Sequence, residues 1–396
     1  MAVDVAPPAA EQRATADIQA PVRNVQAAPR AVLVTNIPAP YRVPVFNLLA
    51  GMPQLEFTVI FCAEREPDRS WDYPALTCAH VFLEQRMVAR HGRWVHINPD
   101  VLGHLRRLTP DVVITTGLNP THLLAFAYAM AKRAAHIHMT DGTATSEQMR
   151  GWKHRLLRTW VFRNSRAFIG ASNGSVALYR GYGIAEGAIF RSPLAVDNAR
   201  FGCAATGQRD FELMFCGQLI ERKLPKFALD VAQRAAALCG RTVRMLVVGT
   251  GQLQEELVRY SSAERTSPGV EVAFFGHASQ AELPALYARA KVLLFPTTQD
   301  PWGVVANEAS AACLPVIVSP FAGVAHELVV DGVNGHVLPL AAGLWAEAAA
   351  GLLSDERKWM RFSRAASEQA ARFTYEIAAR GIAEAVSFAA SSDRPR

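Results

Sequence analysis

The chain reads as an α/β protein of two doubly wound, Rossmann-like domains, and three observations predict this. From Ala31 onward, short apolar runs of strand length alternate with helical segments, the pattern of a parallel sheet with helices on both faces. In the second half the runs end in a glycine, as in FELMFCG, TVRMLVVG and VEVAFFG, where a backbone without Cβ lets a ligand come close. At 396 residues, 50% of them hydrophobic, the chain exceeds one ordinary core and carries enough apolar surface for two.

Taken in order, residues Met1 to Arg30 hold nine alanines and four prolines with no aromatic residue. Such a composition cannot bury enough apolar surface to offset ordering entropy, so a disordered tail is expected. Asp4, Glu11, Arg13 and Asp17 interrupt any apolar run of signal-peptide length. Ala31 to Thr35 is a buried strand, followed by the proline-bearing loop Asn36 to Pro40 and a helix with Val45, Leu48 and Leu49 on one face. Glu56 to Cys62 is a second strand, and a loop runs from it to about Pro74. A helix of the type NPDVLGHLRRL leads into the strand PDVVITTG, and HIHMTDGT and AFIGAS end further strands around Asp141 and Ser172.

A second series starts at Phe211 and culminates in Val292 to Leu338. There VLLFP is a strand stopped by a proline, an alanine-rich stretch is helical, and LPVIVSP is the next strand. Asp300 falls in the loop after the first of these strands and Glu308, eight residues on, in the first turns of the helix. Ligands of open α/β sheets bind outside the carboxyl ends of strands, which is where both acids lie. By spacing alone, the pair reads as two solvated surface charges. GTGQLQEEL lacks the third glycine of a dinucleotide-binding fingerprint and reads as a tight strand-to-helix turn.

The line DPWGVVANEASAACLPVI resembles the donor-site region of the family 4 retaining glycosyltransferases, with Asp300 standing where that family has a glutamate. NIPAPYRVPVFN is similar to an acceptor-side loop of some members, making Asn36 and Tyr41 candidates for a cleft wall, and PLAVDNARF is similar to the segment linking the family's domains. The resemblance implies the GT-B architecture, two such domains facing a central cleft. It divides the chain into a tail (1–30), an acceptor-side domain (31–195), a nucleotide-sugar donor domain (196–375), and a C-terminal helix and tail (376–396) packing back toward the first domain.

The roles that follow are what the resemblance implies. In GQLIERK, Gly217 ends a strand and Lys223 matches the family's phosphate-contacting lysine. Gln218 replaces the usual arginine and brings no charge, which leaves the electrostatic work to Lys223 with help from Arg222. Gly323, in PFAGVAHEL, would offer a second phosphate contact through free N–H groups at a helix start. Gly276 and His277 would line the base, Glu308 would accept from the ribose hydroxyls, and Asp300 from hexose hydroxyls near the reacting carbon. His138 and Asp141, at the end of HIHMTDGT, are candidates for a general base or a sugar-hydroxyl partner, although a histidine alternating as in HIH equally fits a packed sheet residue.

The implied activity is transfer of a hexose from a nucleoside diphosphate sugar to a saccharide or lipid-linked saccharide. Anomeric configuration would be retained, and the setting would be cell-surface polysaccharide or glycoconjugate synthesis. The alternatives are a sugar-nucleotide epimerase of the same architecture and a non-catalytic sugar-nucleotide-binding subunit, the latter motivated by Asp300 and Gln218. No cofactor beyond the donor is implied, and no metal, since no Asp-x-Asp sits at a strand end.

Net charge of +6 suits an anionic partner, either a phosphate-bearing substrate or a membrane surface, and no nucleic-acid module is legible. Arg150 to Arg163 holds five Arg or Lys and no acid, with Trp152, Leu156 and Trp160 four apart on one helical face. This helix either docks on anionic lipid or covers the sheet with a solvated basic face. No apolar run reaches the roughly 20 residues of a spanning helix. Six scattered cysteines argue for buried thiols in a reducing compartment rather than a disulfide framework. The expected location is cytoplasmic, with peripheral contact at the inner face of the membrane.

Overall fold

A computed structural model describes residues 28–67, 72–90, 93–144, 151–202, 209–263 and 269–391. Residues 1–27 of the expected tail, Arg150 of the basic helix and residues 392–396 lie outside the described residues.

The first sheet is built from β1 (Arg30–Thr35), β2 (Glu56–Phe61), β3 (Ala79–Phe82), β6 (Val112–Thr115), β7 (Ala135–Thr140), β8 (Ala167–Gly170) and β9 (Ile189–Arg191), with the small hairpin β4 (Met87–Arg90) and β5 (Arg93–His96) beside it. Its order is β3-β2-β1-β6-β7-β8-β9, every pairing parallel. The second sheet, in the order β12-β11-β10-β13-β14-β15, contains β10 (Phe211–Cys216), β11 (Val243–Val248), β12 (Val270–Gly276), β13 (Ala290–Phe295), β14 (Val316–Val318) and β15 (Gly335–Val337), again all parallel. Strands such as Val112–Thr115 and Val316–Val318 are buried along their whole length because helices cover both faces. The short strands β3, β9 and β15 and the hairpin were not foreseen from the sequence.

Between the sheets, Leu194, Val196 and Phe201 join one apolar core with Ala171 from the first sheet and with Trp302, Ala306 and Phe373 from the second half. A second tie is polar. Glu327 pairs with Arg191 at the end of β9 and accepts from the Asn173 amide at 2.6 Å, and Arg191 in turn donates to Asn173 Oδ1 at 2.6 Å.

The last helix, Tyr375–Ser391, returns to the first sheet. Its Ala378, Ala379, Ile382, Ala385, Val386 and Ala389 are buried with Val45 and Leu49 of the helix Val43–Ala50 and with Ile137 and Ile169. Small side chains on this face let the helix come close to the β9 backbone.

Among the described residues no helix is long and apolar enough to cross a membrane. Cys62, Cys78, Cys216 and Cys239 are free thiols. Cys313 is disulfide-bonded, which corrects the expectation of thiols throughout. Scattered spacing in sequence carries no information on which cysteines the fold brings within bridging distance.

A Cβ on Gly381 would lie 1.6 Å from the Arg191 carbonyl oxygen, a backbone atom that cannot swing aside. Alanine would favour the isolated helix by about 1 kcal/mol, yet overpacking against a fixed wall costs about 1–3 kcal/mol or more. Gly381→Ala is therefore expected to lower the melting temperature. An equal or higher value would show that the helix can shift on the sheet.

Candidate functional site

A cleft of about 840 Å³ opens where the carboxyl ends of the two sheets meet. Strand polarity dictates its lining. Asp141 follows β7, Gly217 to Lys223 follow β10, Gly249 and Thr250 follow β11, His277 follows β12 and Asp300 follows β13. Of the residues singled out in the sequence, Asp141, Gly217, Gln218, Arg222, Lys223, His277, Asp300, Glu308 and Tyr41 share this one cavity.

The loops after β10 and β11 touch backbone to backbone. Leu219 donates its amide to the Thr250 carbonyl at 2.9 Å, and a Cβ on Gly249, which has φ 133°, would lie 1.9 Å from the Gly217 oxygen. Only glycine fits there, and the packing fixes the turn that ends in Arg222 and Lys223.

At that turn, Lys223 Nζ lies 2.5 Å from Asp300 Oδ2, and Arg222 Nη1 lies 3.6 Å from the same oxygen. The Arg222 guanidinium also donates to the Gln299 carbonyl at 2.6 Å, and the Trp302 amide donates to Asp300 Oδ1 at 3.2 Å. Lys223 sits over the Phe295 ring, 5.0 Å from its centroid, so an apolar face and a carboxylate hold one ammonium in place.

Glu308 occupies the floor and is 6% exposed. The Tyr287 hydroxyl donates to its Oε2 at 2.7 Å. Burial raises its pKa from the ordinary value to about 7, against the opposing effects of that hydrogen bond and of the Arg200 charge. Burial likewise pushes the nearby Cys216 thiol up to about 12, so it lines the cleft as a neutral group. Trp302 and Asn307, flanking the two acids, are structural: the indole Nε1 donates to Asn307 Oδ1 at 2.7 Å, and Asn307 Nδ2 donates to the Leu194 carbonyl at 3.2 Å.

Several expected placements are corrected. His138 is 1% exposed, with Nδ1 3.0 Å from the Tyr179 hydroxyl and its ring 4.8 Å from that of Phe162; it is a packed sheet residue held neutral by burial and does not reach the cleft. The Gly323 amide is already used, donating to the Asp300 carbonyl at 2.9 Å. Residues 320–329 form turns rather than a helix start, so the free N–H groups expected for a phosphate are not there. The absence of a Cβ at Gly323 serves close approach to Pro301 instead, whose carbonyl oxygen a Cβ would meet at 2.0 Å. Gly276 does not line the cavity; its carbonyl accepts from the Gly249 amide at 2.7 Å. Asn36 is also absent from the wall and accepts instead from Asn119 Nδ2 at 2.9 Å.

Residues missed by sequence reasoning include Arg200, Tyr287, Tyr375, Asp72 and Arg42, the ion-pair partner of Asp141. Arg200 stands within PLAVDNARF and lines the cleft, its Nη2 donating to the Gln280 carbonyl at 2.5 Å. Tyr287 lies in a short apolar helix that reads as plain core, and no local signal marks it.

The folded protein retains a proton on Glu308 that the unfolded chain releases near pH 4.5, so this residue's contribution to stability falls as pH rises from about 4.5 to about 7 and is level above. Glu308→Gln keeps an acceptor for the Tyr287 hydroxyl and cannot ionise. At pH 8 it is expected to be more stable than the wild type by on the order of 2–3 kcal/mol, the gap closing toward pH 4.5. Melting curves across that range check this, and a gap that ignores pH would show an ordinary carboxyl.

Comparison with known proteins fits this geometry. The fold matches Anabaena HepE, solved with UDP-glucose, at a TM-score of 0.69 and 17% identity, covering 91% of this chain and 99% of that one. It matches the sucrose-phosphate synthase of Thermosynechococcus elongatus at 0.64 and 16%, covering 89% and 97%. Both likenesses establish the GT-B fold. In sequence, the chain is 29% identical over 280 residues to the glycogen synthase of Mycobacterium tuberculosis, covering 68% of this chain and 66% of the relative. It is 30% identical over 189 residues to a D-inositol 3-phosphate glycosyltransferase of Corynebacterium diphtheriae, covering 46% of this chain and 43% of that one. The chain thus spans about two thirds of one of these relatives and under half of the other. Residues 204–369, the part that carries Lys223, Asp300 and Glu308, match the family described as Glycosyl transferases group 1.

Proposed function

We propose that the protein is a hexosyltransferase that moves a hexose from a UDP-sugar to a hydroxyl of a saccharide or lipid-linked saccharide, with retention of configuration, in the synthesis of cell-surface polysaccharide or glycoconjugate. The observation that carries the reading is the group Lys223, Arg222 and Asp300 at one rim of the cleft with buried Glu308 beside it. The uridine diphosphate is taken from the ligands of the Anabaena structures.

In this reading the donor diphosphate lies over Lys223 and Arg222, competing with Asp300 for the ammonium. Glu308 accepts from the ribose hydroxyls. Asp300 has one oxygen against Lys223 and the other against the Trp302 amide, and a carboxylate's remaining lone pairs can accept from a hexose hydroxyl. As the bond from the anomeric carbon to the diphosphate oxygen breaks, the two cations stabilise the separating charge. The leaving phosphate takes the proton of the acceptor hydroxyl, which attacks on the same face, so no protein base is required.

A membrane contact fits the same reading. On the helix Trp152–Arg163, Trp152, Leu156 and Trp160 are 66%, 60% and 52% exposed, beside exposed Lys153 and Arg155. Arg158 is buried and takes no part. Aromatic side chains among cations suit the interface of an anionic bilayer, where a lipid-linked acceptor would be presented.

Three outcomes test these roles. Lys223→Ala should weaken UDP binding by about 1.5–3 kcal/mol while leaving uridine nearly unaffected, as titration calorimetry would read; equal UDP affinity would remove Lys223 from the site. Asp300→Asn should lose about 100-fold in transfer or in slow donor hydrolysis, with UDP affinity unchanged or higher because Lys223 loses a competing carboxylate. Wild-type turnover in that variant, or a wild type that binds UDP-sugars without ever releasing UDP, would favour a pure binding role. Co-sedimentation with anionic vesicles should fall with salt and with Lys153→Glu plus Arg155→Glu, and binding indifferent to both would leave the helix a sheet cover.

A further inference from the structure

The cations that line the cleft stand on one side of it. The lining cations Arg200, Arg222 and Lys223 all belong to the linker or the second domain. Among the described residues, the first-domain wall consists of Pro40, Tyr41, Asp72, Tyr73, Pro74 and Asp141, with two carboxylates and no cation. Behind it, Arg42 is 7% exposed and engaged through both terminal nitrogens, while Arg65, beside Tyr73, is exposed and is not among the lining residues. Arg42 donates to Asp141 Oδ1 at 2.7 Å, to the Ser192 carbonyl at 3.3 Å and to Ser192 Oγ at 3.1 Å. The Asp141 side chain, 38% exposed, therefore stands between Arg42 and the cleft.

We infer that this acceptor-side wall selects an uncharged sugar unit, rejecting one that carries a phosphate or carboxylate where it meets Asp72 and Asp141. The inference rests on the transferase reading above and narrows its acceptor. Two carboxylates can each accept from neighbouring hydroxyls of a hexose, and the rings of Tyr41 and Tyr73 offer apolar faces for the C–H side of a pyranose. An anionic group placed against Asp72 and Asp141 would meet like charge, and among the described residues no first-domain cation lines the cavity to offset it. The donor's diphosphate is thereby directed to the opposite wall, so the two substrates are sorted by charge before any shape is read.

Ligand-observed NMR with methyl glycosides of glucose, galactose and mannose, each against the corresponding hexose 6-phosphate, tests this with and without UDP. At least one uncharged glycoside is expected to bind about 10-fold more tightly than its phosphorylated counterpart. In Asp72→Asn plus Asp141→Asn that preference should shrink about 10-fold, with UDP affinity within about twofold of the wild type. Asp72→Asn alone, which leaves the Arg42 pair intact, should shrink it partway and guards against a folding defect in the double variant. A 6-phosphate that binds as well as its parent sugar, a preference that survives the double variant, or binding of UDP with no glycoside bound at all would overturn the inference. A wild type that binds no UDP would instead overturn the transferase reading, and the glycoside preference is still measurable without it.

Discussion

The contact on which the site depends is the ion pair between Lys223 and Asp300, since it locks together the loops that leave two neighbouring strands. Both side chains are 12% exposed, so neither charge is well solvated without the other. The backbone prepares the pair: the Arg222 carbonyl accepts from Thr297 Oγ1 and from the Thr298 amide, both at 3.0 Å, before any charge is considered. Those bonds exist because β10 and β13 are adjacent in the sheet. Strand order thus sets which residues meet, and electrostatics sets what they do there.

Much of this was legible in the sequence and some was not, for identifiable reasons. Buried parallel strands are continuous apolar runs, so β1, β6, β10 and β13 stood out, and the acids and cations that follow strands fell at the cleft as strand polarity requires. The three-residue strands β9 and β15 are too short to carry a period of their own. Partners such as Arg42 with Asp141 or Tyr287 with Glu308 are far apart in the chain, and nothing local in either residue announces the other. Gly323 shows the opposite failure: the motif was visible, but a glycine needed for close backbone packing looks the same in sequence as one left open for a phosphate.

The two halves are joined by a charged tie as well as by core. Glu327, from the loop after β14, places its carboxylate at the first turn of the helix Asn173–Gly181 and pairs with Arg191. A negative group at a helix N-terminus is favoured by the free amides and the helix dipole. Together with Asn307, which reaches the Leu194 carbonyl, it fixes the relative position of the walls that hold the two sets of lining groups.

The return of Tyr375–Ser391 to the first sheet also shapes how the chain acquires its structure. The apolar face formed by Val45, Leu49, Ile137 and Ile169 has its cover encoded more than two hundred residues later. During synthesis the second domain can close around its own strands as they emerge, whereas the first keeps an exposed hydrophobic surface until Tyr375–Ser391 has been made. Contacts of such long sequence separation form slowly, and surfaces left open in the interval invite aggregation. The first domain, though made first, is the last to be finished.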